Sequence, residues 1–285
     1  MPAEPPVVSP VTLQDAYALL VAEPHTPIAG GTDLMVRITG ELGPVPPRIL
    51  DLSRLEELRG IAMEQDAVAL GALTTYTEIR GSALCREHLP ALVEASATIG
   101  AAQIQNRGTL GGNIANASPA GDSLPVLLAM DAEIVLGGEH GERSVPAADF
   151  WTAYRETALA PEELILRIRI PLVPGRVVRF RKVGTRRAQA ISKVVAAVAW
   201  RDHGQTAGWS DVRVALGSVA ATPIRVRAVE ALLEGSRPTP ETADQAAQAL
   251  AEAIEPIDDV RSTADYRRTV AARVLHRIVR DAGGW

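Results

Sequence analysis

The feature that most constrains this chain is a run of small and polar residues inside an otherwise Ala-, Leu- and Val-rich sequence. From Arg107 to Met130 it reads RGTLGGNIANASPAGDSLPVLLAM. A shorter run of the same character stands earlier, PIAGGTDLMVRI at 27–38, with an apolar entry, a Gly-Gly pair, Thr-Asp and a second apolar run. Glycine has no Cβ, so a backbone N–H beside it can approach a ligand closely or adopt φ > 0. Successive N–H groups facing one concavity make a nest for phosphate oxygens, and Thr and Ser hydroxyls add donors without bulk. Ala29–Asp33 and Thr109–Asn113 both follow this recipe, each flanked by apolar residues. From the residues alone, two readings stand: a pair of tight turns, or a pair of anion-binding loops.

Neither run carries a nucleotide fingerprint. No G-x-G-x-x-G follows a strand, and no G-x-x-x-x-G-K-[ST] occurs. One cysteine, Cys85, makes no internal disulfide, holds no iron–sulfur cluster alone, and reads as a small unreactive residue. The five histidines show no metal spacing, and no Ser-His-Asp arrangement is inferable. A net charge of −5 and 4% aromatic content give no basis for nucleic-acid binding. No membrane span is expected, because no apolar run reaches the length of about 18 residues that a span needs. The opening MPAEPPVVSP lacks the basic and apolar regions of a signal peptide. The expectation is a cytoplasmic protein, which also discounts the glycosylation sequon Asn116-Ala117-Ser118.

The pattern along the chain is α+β. Residues 11–21 predict a helix capped by Thr12 with Asp15, ended by Pro24. Residues 48–52 and 66–73 predict strands, and Thr74 to Glu78 opens a helix. A helix over 89–101 delivers the chain into the glycine-rich segment, expected as a loop. A helix resumes at Leu124, with Pro125 in its first turn. LILRIRI at 164–170 alternates as a half-buried strand should. Pro171, Pro174 and Gly175 mark a boundary. Domains of 1–174, with parts of about 1–55 and 56–174, and of 175–285 are expected. The second is a small antiparallel sheet (strands near 177–183, 191–200 and 212–218) followed by three helices.

The two glycine runs, in this order, resemble those of the FAD-binding (medium) subunit of the molybdenum hydroxylases, the xanthine dehydrogenase and carbon-monoxide dehydrogenase family. The resemblance continues through FWTAYRETALAPEELILRIRIP (150–171), FRKVGTRRAQAISKVVAAVAW (180–200) and ATPIRVRAVEALLEG (221–235). RETALAPEEL (155–164) leans towards the xanthine-type branch.

This resemblance implies a two-part flavin domain of the vanillyl-alcohol-oxidase (PCMH) type, followed by the small C-terminal domain of such subunits. It implies that Pro27, Ile28, Ala29, Gly30, Gly31, Thr32, Asp33 and Leu34, with Thr109, Gly111, Gly112 and Asn113, hold the FAD pyrophosphate. Ile99 then lies against the isoalloxazine, and Ile165 belongs to the FAD site as the aliphatic residue of the strand ending in Ile-Pro. Asp122 reaches a ribose or ribityl hydroxyl, or else caps the following helix. Lys182 belongs to the site too, or to a solvated basic strand face with Arg179, Arg181, Arg186 and Arg187. Asn113 and Asn116 have the alternative of plain turn residues. No metal ligand and no catalytic residue is expected on the chain. The molybdenum cofactor and [2Fe-2S] clusters belong to partners: a molybdopterin large subunit and an iron–sulfur small subunit, assembled as a dimer of heterotrimers. Electrons then pass from those clusters to FAD and on to NAD, oxygen or a quinone-like acceptor. The segment Arg186-Arg187-Ala188-Gln189-Ala190 carries no acid, unlike many NAD-using members, which leaves the acceptor open. The alternative function is a free-standing FAD-dependent oxidase acting on a small substrate.

Overall fold

The computed structural model describes residues 5–186, 189–203 and 208–285. Arg187 and Ala188 of the basic stretch lie outside the described residues.

The chain opens with a small parallel layer: β1 (Val7–Val8), α1 (Leu13–Ala22), β2 (Thr26–Ile28), α2 (Leu34–Thr39) and β3 (Ile49–Asp51), with strand order β1-β3-β2. Parallel neighbours need a crossover, and the one between β2 and β3 carries α2; α1, which joins β1 to β2, buries Ala16 and Leu20. Thr12 caps it as predicted, its hydroxyl accepting the Asp15 N–H at 3.1 Å. The apolar run after the first Gly-Gly pair is α2, which buries none of its residues.

An antiparallel five-stranded sheet comes next, in the order β4-β5-β10-β6-β7. β4 (Ile61–Met63) and β5 (Ala67–Gly71) precede six helices: α3 (Tyr76–Gly81), α4 (Ala83–His88), α5 (Pro90–Thr98), α6 (Ala102–Arg107), α7 (Leu110–Asn116) and α8 (Leu124–Ala129). Then come β6 (Glu133–Gly138), β7 (Gly141–Pro146), α9 (Ala147–Phe150), the hairpin β8 (Trp151–Ala153) and β9 (Glu156–Thr157), and β10 (Leu164–Pro171). The LILRIRI alternation has its expected cause. Ile168 and Ile170 are buried against the helices. On the opposite face Arg167 bonds Glu142 at 2.6 Å, and Arg169 bonds Glu64 at 2.6 Å and Glu133 at 2.7 Å.

Two sequence expectations are corrected in this region. The helix expected over 89–101 stops at Thr98; Ile99 is extended and Gly100 has φ +54°. The glycine-rich segment after Arg107 is not an open loop: its Gly-Gly pair lies inside α7, which Thr109 caps by accepting the Gly112 N–H at 3.0 Å.

The remaining strands β11 (Arg176–Val183), β12 (Val194–Arg201), β13 (Ser210–Gly217) and β14 (Ile224–Arg225) form an antiparallel sheet in sequence order. Helices α10 (Arg227–Leu233), α11 (Pro240–Ala253) and α12 (Ala264–Gly283) complete the chain. β12 begins at Val194 instead of Ile191, leaving Ser192 buried ahead of it. Its VVAAVAW run shows no polar alternation because both faces are covered. Val195, Ala197 and Ala199 join the core of α5 and α8, while Val194, Ala196, Val198 and Trp200 join that of the C-terminal helices.

Two ionic clusters tie the layers together. Asp131, just after α8, takes Arg176 Nη2 at 2.9 Å, Arg213 Nε at 3.0 Å and Arg225 Nη1 at 2.9 Å from the C-terminal sheet. Asp259 accepts Arg267 Nη2 of α12 at 2.6 Å and the N–H groups of Arg261 and Ser262 at 2.9 and 3.0 Å. Burial alone would raise the Asp259 carboxyl; those donors outweigh it and bring the pKa down from 3.8 to about 2. A depressed carboxyl contributes stability that is present above its unfolded pKa and lost as pH falls through the folded one. Thermal melts of wild type and Asp259→Asn are therefore expected to differ at neutral pH and to converge between pH 3.8 and about 2. A constant difference across that window would contradict the assignment.

Candidate functional site

The chain leaves the first sheet after Ile28, whose carbonyl accepts the Leu52 N–H at 2.9 Å. The backbone beyond Ala29 then runs without internal partners for its amides. Among the described residues, no protein group accepts the N–H of Gly30, Gly31, Thr32, Asp33 or Leu34. Gly31 adopts φ +73°, which turns the segment. Gly30 is demanded by contact: a Cβ there would lie 1.7 Å from the carbonyl oxygen of Arg107. The two glycine runs, remote in sequence, touch at that point.

The second run behaves differently, which corrects the expectation that both present free amides. Leu110 N–H goes to Thr74 O at 2.9 Å, Gly111 N–H to Ala72 O at 2.9 Å and Gly112 N–H to the Thr109 hydroxyl. Gly111 is small because a Cβ would come within 2.7 Å of Ala72. Its role is to let α7 press on the end of β5. The Thr109 hydroxyl proton and the Asn113 side-chain NH2 remain as donors from this side, since Asn113 Oδ1 already accepts from Ser123 at 2.7 Å.

Both runs line one cavity of about 510 Å³. Pro27, Ile28, Ala29, Gly30, Gly31, Thr32, Asp33, Leu34, Ile99, Thr109, Gly111, Gly112, Asn113 and Ile165 all face it. Asp122 and Lys182 do not; they are buried outside its lining and paired with each other, Lys182 Nζ donating to Asp122 Oδ2 at 2.5 Å. Asp122 does not cap α8 either, since Ser123 holds that position. Sequence reasoning missed several lining residues. Arg37 is the one lining cation, has no acidic partner among the described residues, and was signalled only by its place one turn after Gly-Gly-Thr-Asp. Tyr76 lines the cavity as a buried phenol whose burial pushes its pKa up, so it stays neutral. Ile104 and Leu159 extend the apolar wall of Ile99 and Ile165.

Chemically, five unclaimed amides and a guanidinium suit a diphosphate. An aliphatic wall suits a flat aromatic ring. FAD carries both groups, so the residues present fit the cofactor that the resemblance implies. Among the described residues, Asp33 is the only carboxylate lining the cavity and no histidine lines it.

Known proteins resemble this chain over nearly its whole length. The profile of the family described as "FAD binding domain in molybdopterin dehydrogenase" matches residues 3–173, and that described as "CO dehydrogenase flavoprotein C-terminal domain" matches residues 179–282. The chain is 32% identical to the carbon monoxide dehydrogenase medium chain of Hydrogenophaga pseudoflava, covering 96% of this chain and 95% of that one. It is 30% identical to the xanthine dehydrogenase FAD-binding subunit of Escherichia coli O157:H7, again over 96% and 95%. Among solved structures, carbon monoxide dehydrogenase from H. pseudoflava superimposes with a TM-score of 0.92 at 32% identity, over 97% of this chain and 96% of that one. Quinoline 2-oxidoreductase from Pseudomonas putida 86 gives a TM-score of 0.92 at 26% identity, over 99% and 98%.

Proposed function

The chain belongs to the FAD-binding medium-subunit family of the molybdopterin dehydrogenases, and from that premise we propose how its residues serve FAD and which partners it joins. It is an FAD-binding subunit of an oxidoreductase complex. The observation that carries the site assignment is the run of five amides at 30–34 left without protein acceptors at the cavity wall. Those N–H groups and Arg37 hold the diphosphate. Thr109 and Asn113 add a hydroxyl and an amide donor, and Gly111 and Gly112 keep that wall thin. Ile99 and Ile165 exclude water from the ring and fix its plane. Bound there, FAD supplies the one- and two-electron chemistry that connects iron–sulfur donors to an acceptor.

The domain division proposed is 1–174 for FAD and 175–285 for the C-terminal unit. The partners proposed are an iron–sulfur small subunit and a molybdopterin large subunit, in a dimer of heterotrimers in the cytoplasm. Among the described residues, no helix is long and apolar enough to cross a membrane. Identities of 32% to a carbon monoxide dehydrogenase chain and 30% to a xanthine dehydrogenase chain do not separate the two branches. The acceptor stays open among NAD, oxygen and a quinone-like molecule. The oxidase alternative needs a proton-accepting side chain near the ring. Among the described residues the cavity lining offers one carboxylate, Asp33, which lies on the Gly-Gly segment assigned to the diphosphate.

The test is direct. Purified chain titrated with FAD is expected to turn yellow with one flavin bound, and tagged chain expressed with its neighbouring genes is expected to bring down both partners. A chain that stays colourless sinks the cofactor site. Substrate turnover by the isolated yellow chain would favour the oxidase.

A further inference from the structure

From residue 21 to residue 48 no residue of the chain is buried. Inside this stretch α2 reads LMVRIT, apolar at four of its six positions, and it buries none of them. Met35 is 44% exposed and Val36 56%, and the turn that follows adds Leu42 at 64% and Val45 at 37%. Among the described residues, every hydrogen bond of 34–47 stays inside 31–42. Met35 N–H reaches Gly31 O at 3.0 Å, Gly40 N–H reaches Val36 O at 2.9 Å and Leu42 N–H reaches Arg37 O at 2.9 Å.

A helix of six residues is too short to persist in water on its backbone bonds; in proteins such a helix is held by the apolar face it buries. α2 has the apolar face and lacks the cover. After it, Gly-Pro-Val-Pro-Pro at 43–47 is stiffened by three prolines, so Val45 is held out with little entropy left to lose on binding. Single exposed aliphatic residues need no explanation. Four large apolar side chains between 35 and 45, on a stretch with no buried residue, mark an interaction face.

FAD does not cover this face. Leu34 and Arg37 of α2 line the cavity, whereas Met35, Val36, Leu42 and Val45 are absent from its lining. Whatever covers them therefore stands at the rim of the FAD site. The chain brings no redox metal of its own there: among the described residues no group of His, Cys, Asp and Glu is placed to hold one, and Cys85 is buried. The electrons for the flavin come from another chain, and electron transfer weakens steeply with distance. The donor chain must press against the rim of the cavity, and α2 is a rim element with an uncovered apolar face. Asp33, Arg37, Glu41 and Arg48 leave the stretch 33–48 without net charge, so the matching surface is apolar as well.

We propose that α2 and the turn to Val45 are the docking face for the iron–sulfur subunit, received in an apolar groove of that chain. This rests on the FAD and partner reading above. Because the contact is apolar, assembly keeps its strength as salt rises, unlike docking on the basic strand face of Arg179 and Arg181.

The test uses the full chain, tagged and co-expressed with its neighbouring genes, as wild type and as the double variant Val36→Glu/Leu42→Glu. Both positions are exposed and glutamate favours a helix, so the variant is expected to fold, which far-UV circular dichroism checks. Wild type is expected to bring down the iron–sulfur chain, read by its iron content, equally well at low salt and at about 0.5 M. The variant is expected to bind it about 100-fold more weakly, about ten-fold for each buried aliphatic side chain lost. Amide hydrogen exchange at 35–45 is expected to slow in the wild-type complex relative to the free chain. Val260→Glu, at a fully exposed valine ahead of α12, is the control and should assemble like wild type. A double variant that keeps the iron–sulfur chain overturns the docking face, and so does unchanged exchange at 35–45. A variant that loses only the molybdopterin chain, or only self-association, overturns it too, since either result puts a different occupant on α2. A wild-type chain that brings down no iron–sulfur chain overturns the partner reading itself, which tells the two failures apart.

Discussion

Gly30→Ala is expected to give a folded chain that no longer retains FAD. The added methyl would lie 1.7 Å from the carbonyl oxygen of Arg107 and 2.4 Å from its carbon. Both are backbone atoms at the end of α6, so no flexible side chain can step aside. The segments 29–34 and 107–113 must separate, and the unclaimed amides at 30–34 lose their place opposite Thr109 and Asn113. Gly30 does not have a positive φ, so the effect is steric and owes nothing to backbone strain. A displacement of about 1 Å in a binding constellation commonly costs about 100-fold, and that loss of FAD affinity is the expected magnitude. Titration of the apo chain measures it, and far-UV circular dichroism checks that the fold survives. Gly81→Ala is the control, because its Cβ would enter open space at the end of α3. It should bind FAD like wild type. Wild-type affinity in Gly30→Ala would remove the contact between the two runs from the site.

Asp131→Asn is expected to destabilise the chain by about 3 kcal/mol, the cost of breaking a largely buried ionic cluster from one side. Asp131, just after α8, is the point where three arginines of the C-terminal sheet meet. The Arg176 and Arg225 side chains are 6% and 8% exposed, so water cannot replace the lost charge. Asp211 and Glu230 retain part of the pairing, which keeps the expected loss at the low end of the range. Asparagine fits the position, since Asp131 has φ +52° and Asn tolerates the left-handed region well. Urea denaturation measures the loss. The same experiment should split one transition into two if this cluster is what makes the sheets unfold together. A change below about 1 kcal/mol, typical of a surface pair, would show that the apolar contacts of α8 with the C-terminal sheet suffice alone.

Much of the architecture was legible because its causes are local. Thr12 with Asp15, and Thr75 with Glu78, announce helix starts through bonds that span three residues. The alternation of 164–170 reports one solvated face, and the unbroken apolar run of 194–200 reports two covered ones. The cavity lining was legible for the same reason in part. Gly-Gly-Thr-Asp at 30–33 is a local recipe for unclaimed amides, and no described protein group accepts from them.

The failures have a common origin. Gly111 looked like a donor and proved to be a spacer, because its partner Ala72 lies in another element. The break at Ile99–Gly100 interrupts an Ala-rich stretch whose propensity favours continuing; Lys182 holds the Thr98 carbonyl from far along the chain. Asp122 offered two plausible roles, contact with a flavin hydroxyl or a helix cap. In the structure its carboxylate is engaged by Lys182 and Ser192, the latter separated from it by 70 residues.

The sequence by itself therefore determined most of the elements and the place of the two glycine runs, and through its family resemblance the ligand they suit, since periodicity, capping and the absence of a Cβ act within a few residues. Tertiary structure alone decided which of the two runs keeps its amides free, where α5 ends and what Asp122 faces. Those outcomes depend on close approach and on buried hydrogen bonds between segments far apart in the chain. Such bonds form only because an unpaired polar group in the interior costs more than the chain entropy needed to bring its partner there.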